Sequence, residues 1–96
     1  MKERELLLSL YEIYNKLLTE KERAYFEYYY FEDYSLQEIA DNNEVSKAYV
    51  GKYINGIENK LIKYEKSLNL NDKFNKIRKI TNGCSKEVRE KIEELL

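Results

Sequence analysis

Lys47, Ala48, Gly51, Lys52 and Asn55 are spaced to share one flank of a helix turning about 100° per residue, and that flank carries no large apolar side chain. The chemistry on offer there is contact with phosphates and base edges. Lys47 and Lys52 are cations for phosphate or guanine. Asn55 carries a donor and an acceptor together, which suits adenine, and Ala48 is small enough to meet a thymine methyl. Ser46 stands where such a helix takes its N-cap, and the N–H groups of that end suit a phosphate. Gly51 costs about 1 kcal/mol against Ala inside a helix; close approach of a nucleic-acid backbone, tight helix packing and sequence drift each account for it. Tyr49 projects away from the flank. The stretch has no Arg, so the bidentate fork that reads guanine is missing and phosphate contacts should dominate.

These side chains need a helix held at a fixed angle to a second one. Residues 36–55, LQEIADNNEVSKAYVGKYIN, fit two short amphipathic helices joined by a polar turn. Ile39, Ala40, Val45, Val50 and Ile54 supply the apolar positions, with small Ala40 at the expected crossing. Asn43 is the expected left-handed residue of the turn. The pattern is that of a helix-turn-helix, whose second helix can enter a nucleic-acid groove.

The remaining elements follow from apolar spacing and caps. A first helix is predicted over residues 2–18, with Leu6, Leu10, Ile13, Tyr14 and Leu17 on one face. Thr19 with Glu22 forms a capping box opening a second helix to about residue 31, with Phe26, Tyr29 and Tyr30 inward. Ser35 with Glu38 opens the third. The fourth runs from the Ser46 cap to about residue 68. Its seam of Val50, Ile54, Ile57, Leu61, Tyr64 and Leu68 must pack on the first helix, on the C-terminal helices or on a second subunit. A homodimer through that seam is one expectation, with the C-terminal helices folding back over it as the other. Asn71 or Asp72 is expected to cap a fifth helix stopped by Asn82 and Gly83, and Ser85 to open a sixth. The fold class is thus all-α: one helix-turn-helix domain over residues 1–96, core motif 36–55, a long fourth helix and a short C-terminal helical extension, 69–96.

Charge is segregated along the chain. Residues 1–45 carry five Lys/Arg against eleven Asp/Glu, net −6; residues 46–80 carry nine against three, net +6; residues 81–96 carry three against four, net −1. Such polarity suits one surface facing phosphates and another facing solvent or a protein. The basic run Lys73, Lys76, Arg78 and Lys79 reads first as an ordinary charged helix face. The ten tyrosines, at helical spacing, read mostly as core with hydroxyls reaching water.

Several function classes drop out. With no His and one Cys, the usual Zn ligand sets and Ser–His or Cys–His machinery are excluded. No Gly-rich loop could cradle a nucleotide phosphate. Acidic pairs such as Glu93 and Glu94 read as solvated charge. No catalytic residue, metal or cofactor is expected, so the chain should not be an enzyme. Cys84 has no partner for an intrachain disulfide, which suits a reducing cytoplasm. The apolar run 6–10 is broken by Tyr11 and Glu12, and no segment approaches membrane-spanning length, so no membrane partner is expected.

Across residues 18–70 the chain resembles the YlxM-like helix-turn-helix family of Gram-positive bacteria and their wall-less relatives. The matching stretches are LTEKERAYFEYYYFEDYSLQEIADNNEVSKAYV and IENKLIKYEKSLNL, with DYSLQEIA and VSKAYV the most specific parts. The first stretch is also similar to the promoter-binding last domain of bacterial sigma factors. The resemblance implies an all-helical regulatory protein binding DNA or RNA, with Ser46, Lys47, Ala48, Gly51, Lys52 and Asn55 at the contact positions. It further implies an association with the signal recognition particle pathway, whose RNA becomes a candidate ligand. The alternative is a protein–protein module whose acidic, Tyr-rich half binds the pathway's GTPase. Asn43, Glu44 and Lys47 depart from the family pattern, which predicts a looser turn and less base-specific reading.

Overall fold

Side-chain caps decide where these helices begin. The computed structural model describes residues 3–96, which form six α-helices: α1 (Arg4–Tyr14), α2 (Glu20–Tyr30), α3 (Leu36–Asn43), α4 (Lys47–Leu68), α5 (Leu70–Thr81) and α6 (Lys86–Leu95). No strand occurs among the described residues, as an all-α fold requires. Thr19 and Ser35 head complete capping boxes, their hydroxyls accepting the Glu22 and Glu38 backbone N–H while those glutamates accept the Thr19 and Ser35 N–H. Ser46 and Ser85 cap α4 and α6 by accepting the N–H of Tyr49 and Val88.

Two boundaries differ from expectation, and a third falls as expected for another reason. The first helix ends early: Asn15 Nδ2 donates to the carbonyls of Tyr11 and Glu12, and residues Asn15–Leu17 tighten into a 3-10 turn. Its expected start at Lys2 lies outside the described residues. The fifth helix begins at Leu70, before Asn71 and Asp72, because its cap comes from elsewhere in the chain. Asn69 adopts the left-handed conformation (φ 56°) that turns α4 into α5, Glu65 of α4 accepts the N–H of Asn71 and Asp72 at 3.1 Å each, and Tyr14 Oη accepts that of Leu70 at 3.2 Å. Gly83 follows the end of α5 without a positive φ, so it is no left-handed stop.

The α4 seam is covered from inside the chain. Val50, Ile54, Ile57 and Leu61 are 0–4% exposed and pack against α1, α2 and α3 with Leu7, Leu10, Phe26, Ile39 and Ala40. The expectation of a dimer through this seam therefore fails for those four residues, and it is α1, α2 and α3, not the C-terminal helices, that close over them. Helices α5 and α6 form a hairpin with no buried residue, and the molecule measures 52 × 25 × 23 Å.

Aromatic rings form the middle of the core. Phe26 stacks on Tyr11 (4.2 Å between centroids) and on Tyr30 (4.4 Å). In α2 it is Tyr25, Phe26 and Tyr30 that are buried, while Tyr29 is only half-buried, contrary to the expected face. The hydroxyls of Tyr11, Tyr14 and Tyr30 do not reach for water as expected but donate to the carboxylates of Glu27, Glu65 and Glu58. The Tyr14–Glu65 bond measures 2.6 Å.

Glu65→Ala, which removes two helix caps and the Tyr14 acceptor together, should cost roughly 1–3 kcal/mol by chemical denaturation. Burial, reinforced by the neighbouring carboxylates, raises the hydroxyl pKa values of Tyr11, Tyr14 and Tyr30 above the ordinary 10.0. The folded state thus holds protons that the unfolded chain releases. Stability from these groups is intact below pH 10 and is withdrawn as pH rises beyond it. In an alkaline titration the phenolate signals of Tyr11, Tyr14 and Tyr30 should appear together with the loss of helicity.

Candidate nucleic-acid interface

The turn between α3 and α4 sets how the candidate flank is presented. Glu44, not Asn43, takes the left-handed conformation, with φ 55° and ψ 43°. Asn43 remains helical because its side-chain amide donates to the Ile39 carbonyl at 2.7 Å. Glu44 N–H donates to the Asp41 carbonyl at 3.4 Å and Val45 N–H to that of Ala40 at 3.1 Å, the bond pair of a Schellman motif. Val45 packs on the core immediately after. The turn is therefore closed by two hydrogen bonds and an apolar contact, rather than looser as the unusual residues suggested.

From that turn α4 leaves with its first residues outward. Lys47, Ala48, Lys52 and Asn55 are exposed, Ser46 is exposed at the cap, and Gly51 is half-buried. The structure thus brings all six residues onto the N-terminal half of one helix. Ser46 Oγ is occupied as the acceptor of Tyr49 N–H at 3.0 Å. Among the described residues neither Lys47 nor Lys52 forms an ion pair, whereas Lys60, further along α4, is bound to Glu22 at 2.6 Å. Asn55 already interacts within the chain.

The Glu22–Lys60 pair is structural. Glu22 is 6% exposed, and burial alone would raise its carboxyl pKa; the Lys60 ammonium and the Thr19 N–H outweigh that and hold it below the ordinary value. The pair ties the start of α2 to the middle of α4. It also takes Lys60 out of the cations that could meet a ligand.

One cation was invisible to the sequence reading. Lys21, in the first turn of α2, donates from Nζ to Tyr49 Oη at 2.7 Å and lies 5.0–5.7 Å from the ring centroids of Tyr25, Tyr49 and Tyr53. The Tyr49 hydrogen bond raises the Lys21 pKa, so the charge persists. Tyr49 accordingly leans on α2, off the polar flank as expected, but it carries a fixed charge beside it. The spacing Lys21/Tyr25 and Tyr49/Tyr53 is legible in the sequence; the meeting of the two pairs depends on packing between helices.

No group of three or more His, Cys, Asp or Glu side chains among the described residues is placed to hold a metal ion. No helix of the described residues is long and apolar enough to cross a membrane.

An all-α chain in which a capped, exposed helix is set by a tight turn against a shorter one defines a helix-turn-helix protein. The chain belongs to the family described as "Putative helix-turn-helix protein, YlxM / p13 like" (UPF0122), which matches residues 1–95. A UPF0122 protein of Geobacillus sp. (strain WCH70) is 44% identical over 85 residues, covering 88% of this chain and 77% of the relative. One from Ureaplasma urealyticum is 43% identical over 70 residues, or 73% of this chain and 71% of that one. One from Shouchella clausii is 48% identical over 65 residues, or 68% and 60%.

Gly51 tests what the flank requires. A Cβ built there meets only Leu36 Cδ1, at 3.6 Å, an ordinary contact, so packing does not demand glycine. Gly51→Ala should therefore stabilise the free protein by about 0.5–1 kcal/mol through helix propensity, raising Tm by several degrees. A lowered Tm would restore tight packing as the reason for the glycine.

Proposed function

We propose that this protein is a non-enzymatic nucleic-acid-binding regulator that grips phosphates through the N-terminal half of α4 and acts on the signal recognition particle pathway or its RNA. The observation that carries the first part is the pair Lys47 and Lys52, exposed and without ion pairs among the described residues, on a flank whose other members are small or polar. Membership of a helix-turn-helix family supports the same reading. The pathway comes from the family resemblance and makes the particle's RNA the first ligand to try beside a DNA duplex. Exposed, unpaired Cys84 suits a reducing compartment such as the cytoplasm.

A protein-binding role for the acidic half is the second reading. Phe31 at 54% and Tyr34 at 37% exposure sit beside Glu32 and Asp33, a small apolar patch among negative charge. It is the weaker reading, because Tyr25 and Tyr30 lie in the core and Tyr28 and Tyr29 are half-buried. That leaves little of the tyrosine cluster to meet the pathway's GTPase.

Lys47→Glu with Lys52→Glu should lower affinity for the bound nucleic acid at least about tenfold, leaving helicity by circular dichroism unchanged. Wild-type affinity should fall steeply as salt is raised, since lysine–phosphate contacts release counterions. Unchanged affinity in the double variant would overturn the reading. Retained capture of the GTPase, lost on Phe31→Ala with Tyr34→Ala, would favour the second.

A further inference from the structure

Helix α4 continues for thirteen residues beyond Asn55, to Leu68. A second stretch of its surface is as open and as positive as the first. Lys63 and Lys66 are exposed, and among the described residues neither forms an ion pair. At about 100° per residue, Lys52, Asn59, Lys63 and Lys66 project within roughly 60° of one another; at about 1.5 Å per residue, Lys47 and Lys66 are separated by roughly 28 Å along the axis.

The carboxylates that could neutralise this stripe are engaged elsewhere. Glu58 and Glu65 are the acidic residues of α4. Glu58 accepts the Tyr30 hydroxyl, and Glu65 accepts the Tyr14 hydroxyl and the N–H groups of Asn71 and Asp72. The next two helices behave differently. There Lys76, Arg78, Lys86 and Lys91 pair with Asp72, Glu93, Glu90 and Glu87. Among the described residues, four of the seven Lys and Arg residues of α5 and α6 are thus paired, all but Lys73, Lys79 and Arg89, against one of the five lysines of α4, Lys60.

A helix whose first turns enter a groove about 12 Å wide leaves it well before 28 Å, and the next features it meets are the flanking phosphates. We infer that Lys63 and Lys66 form a second phosphate-binding segment, so that α4 engages duplex nucleic acid along its whole length and the footprint extends beyond the helix-turn-helix. This rests on the nucleic-acid reading proposed above and adds the class of ligand, a duplex long enough to reach both segments. DNA and RNA duplexes share the phosphates, whereas a groove about 12 Å wide is that of B-DNA.

The test is fluorescence anisotropy of the full chain with DNA and RNA duplexes of about two helical turns, at several salt concentrations. Lys63→Gln with Lys66→Gln should weaken binding several-fold and, on DNA, reduce the log–log salt slope by about 1.8, roughly 0.9 per phosphate contact. Lys63→Arg with Lys66→Arg, which keeps the charge, should restore the slope. A larger loss with one duplex than with the other identifies whether DNA or RNA is the ligand. If the Gln pair leaves affinity and salt slope unchanged while Lys47→Gln with Lys52→Gln weakens binding, the second segment is refuted and the helix-turn-helix reading stands. If neither pair alters binding, or no duplex binds, both fall.

Discussion

A buried tyrosine hydroxyl needs a partner, and that requirement organises much of this molecule. The chain builds a small core largely from aromatic rings, with Phe26 stacked between Tyr11 and Tyr30 and Tyr14 fully enclosed. Rings supply large apolar area in few residues, but each tyrosine brings a polar tip that must be satisfied. Here the tips of Tyr11, Tyr14 and Tyr30 find carboxylates on α2 and α4, and no buried side-chain polar atom is left unpaired among the described residues. The bonds are charge-assisted and join helices distant in sequence. Tyr14 and Glu65, separated by 51 positions, also set where α5 begins.

This arrangement of the core has an electrostatic consequence outside it. Each glutamate that receives a tyrosine is turned toward the interior or tied down at its edge. Glu58 and Glu65 are the acidic residues of α4, so satisfying the core removes from that helix the groups that would otherwise offset its lysines. Glu22 takes one lysine, Lys60, inward with it. What remains outward is a positive stripe. Within α4 the two carboxylates bond core tyrosines while Lys47, Lys52, Lys63 and Lys66 face outward.

Local chemistry was readable from the sequence, and contacts between distant residues were not. Capping boxes at Thr19 and Ser35 and single caps at Ser46 and Ser85 each need only residues three apart, and all form as expected. The start of α5 needed Glu65 and Tyr14, and no local pattern marks a cap supplied across 56 positions. At the α3–α4 turn, asparagine is the better left-handed residue in isolation. Glu44 takes that place because the Schellman bonds fix the position, and Asn43 serves the helix by bonding Ile39. In the site, the five residues of one helix face followed from periodicity and Ser46 from its capping position, whereas Lys21 reached Tyr49 only through the packing of α2 against α4.

Cations of two mechanical kinds lie on and beside the flank, and they differ in mobility. Lys21 is anchored by one hydroxyl and three rings, so its charge stands at a fixed place relative to α4. Lys47 and Lys52 sit on flexible stems without ion pairs and can follow a phosphate wherever it lies. Neither kind reads a base well. No arginine occurs in α4 to fork onto guanine, and Asn55, the side chain best suited to adenine, already interacts within the chain. On the proposed reading, such a surface would discriminate by where phosphates are, not by which bases carry them. On the proposed reading, selectivity therefore arises from the ligand's backbone geometry.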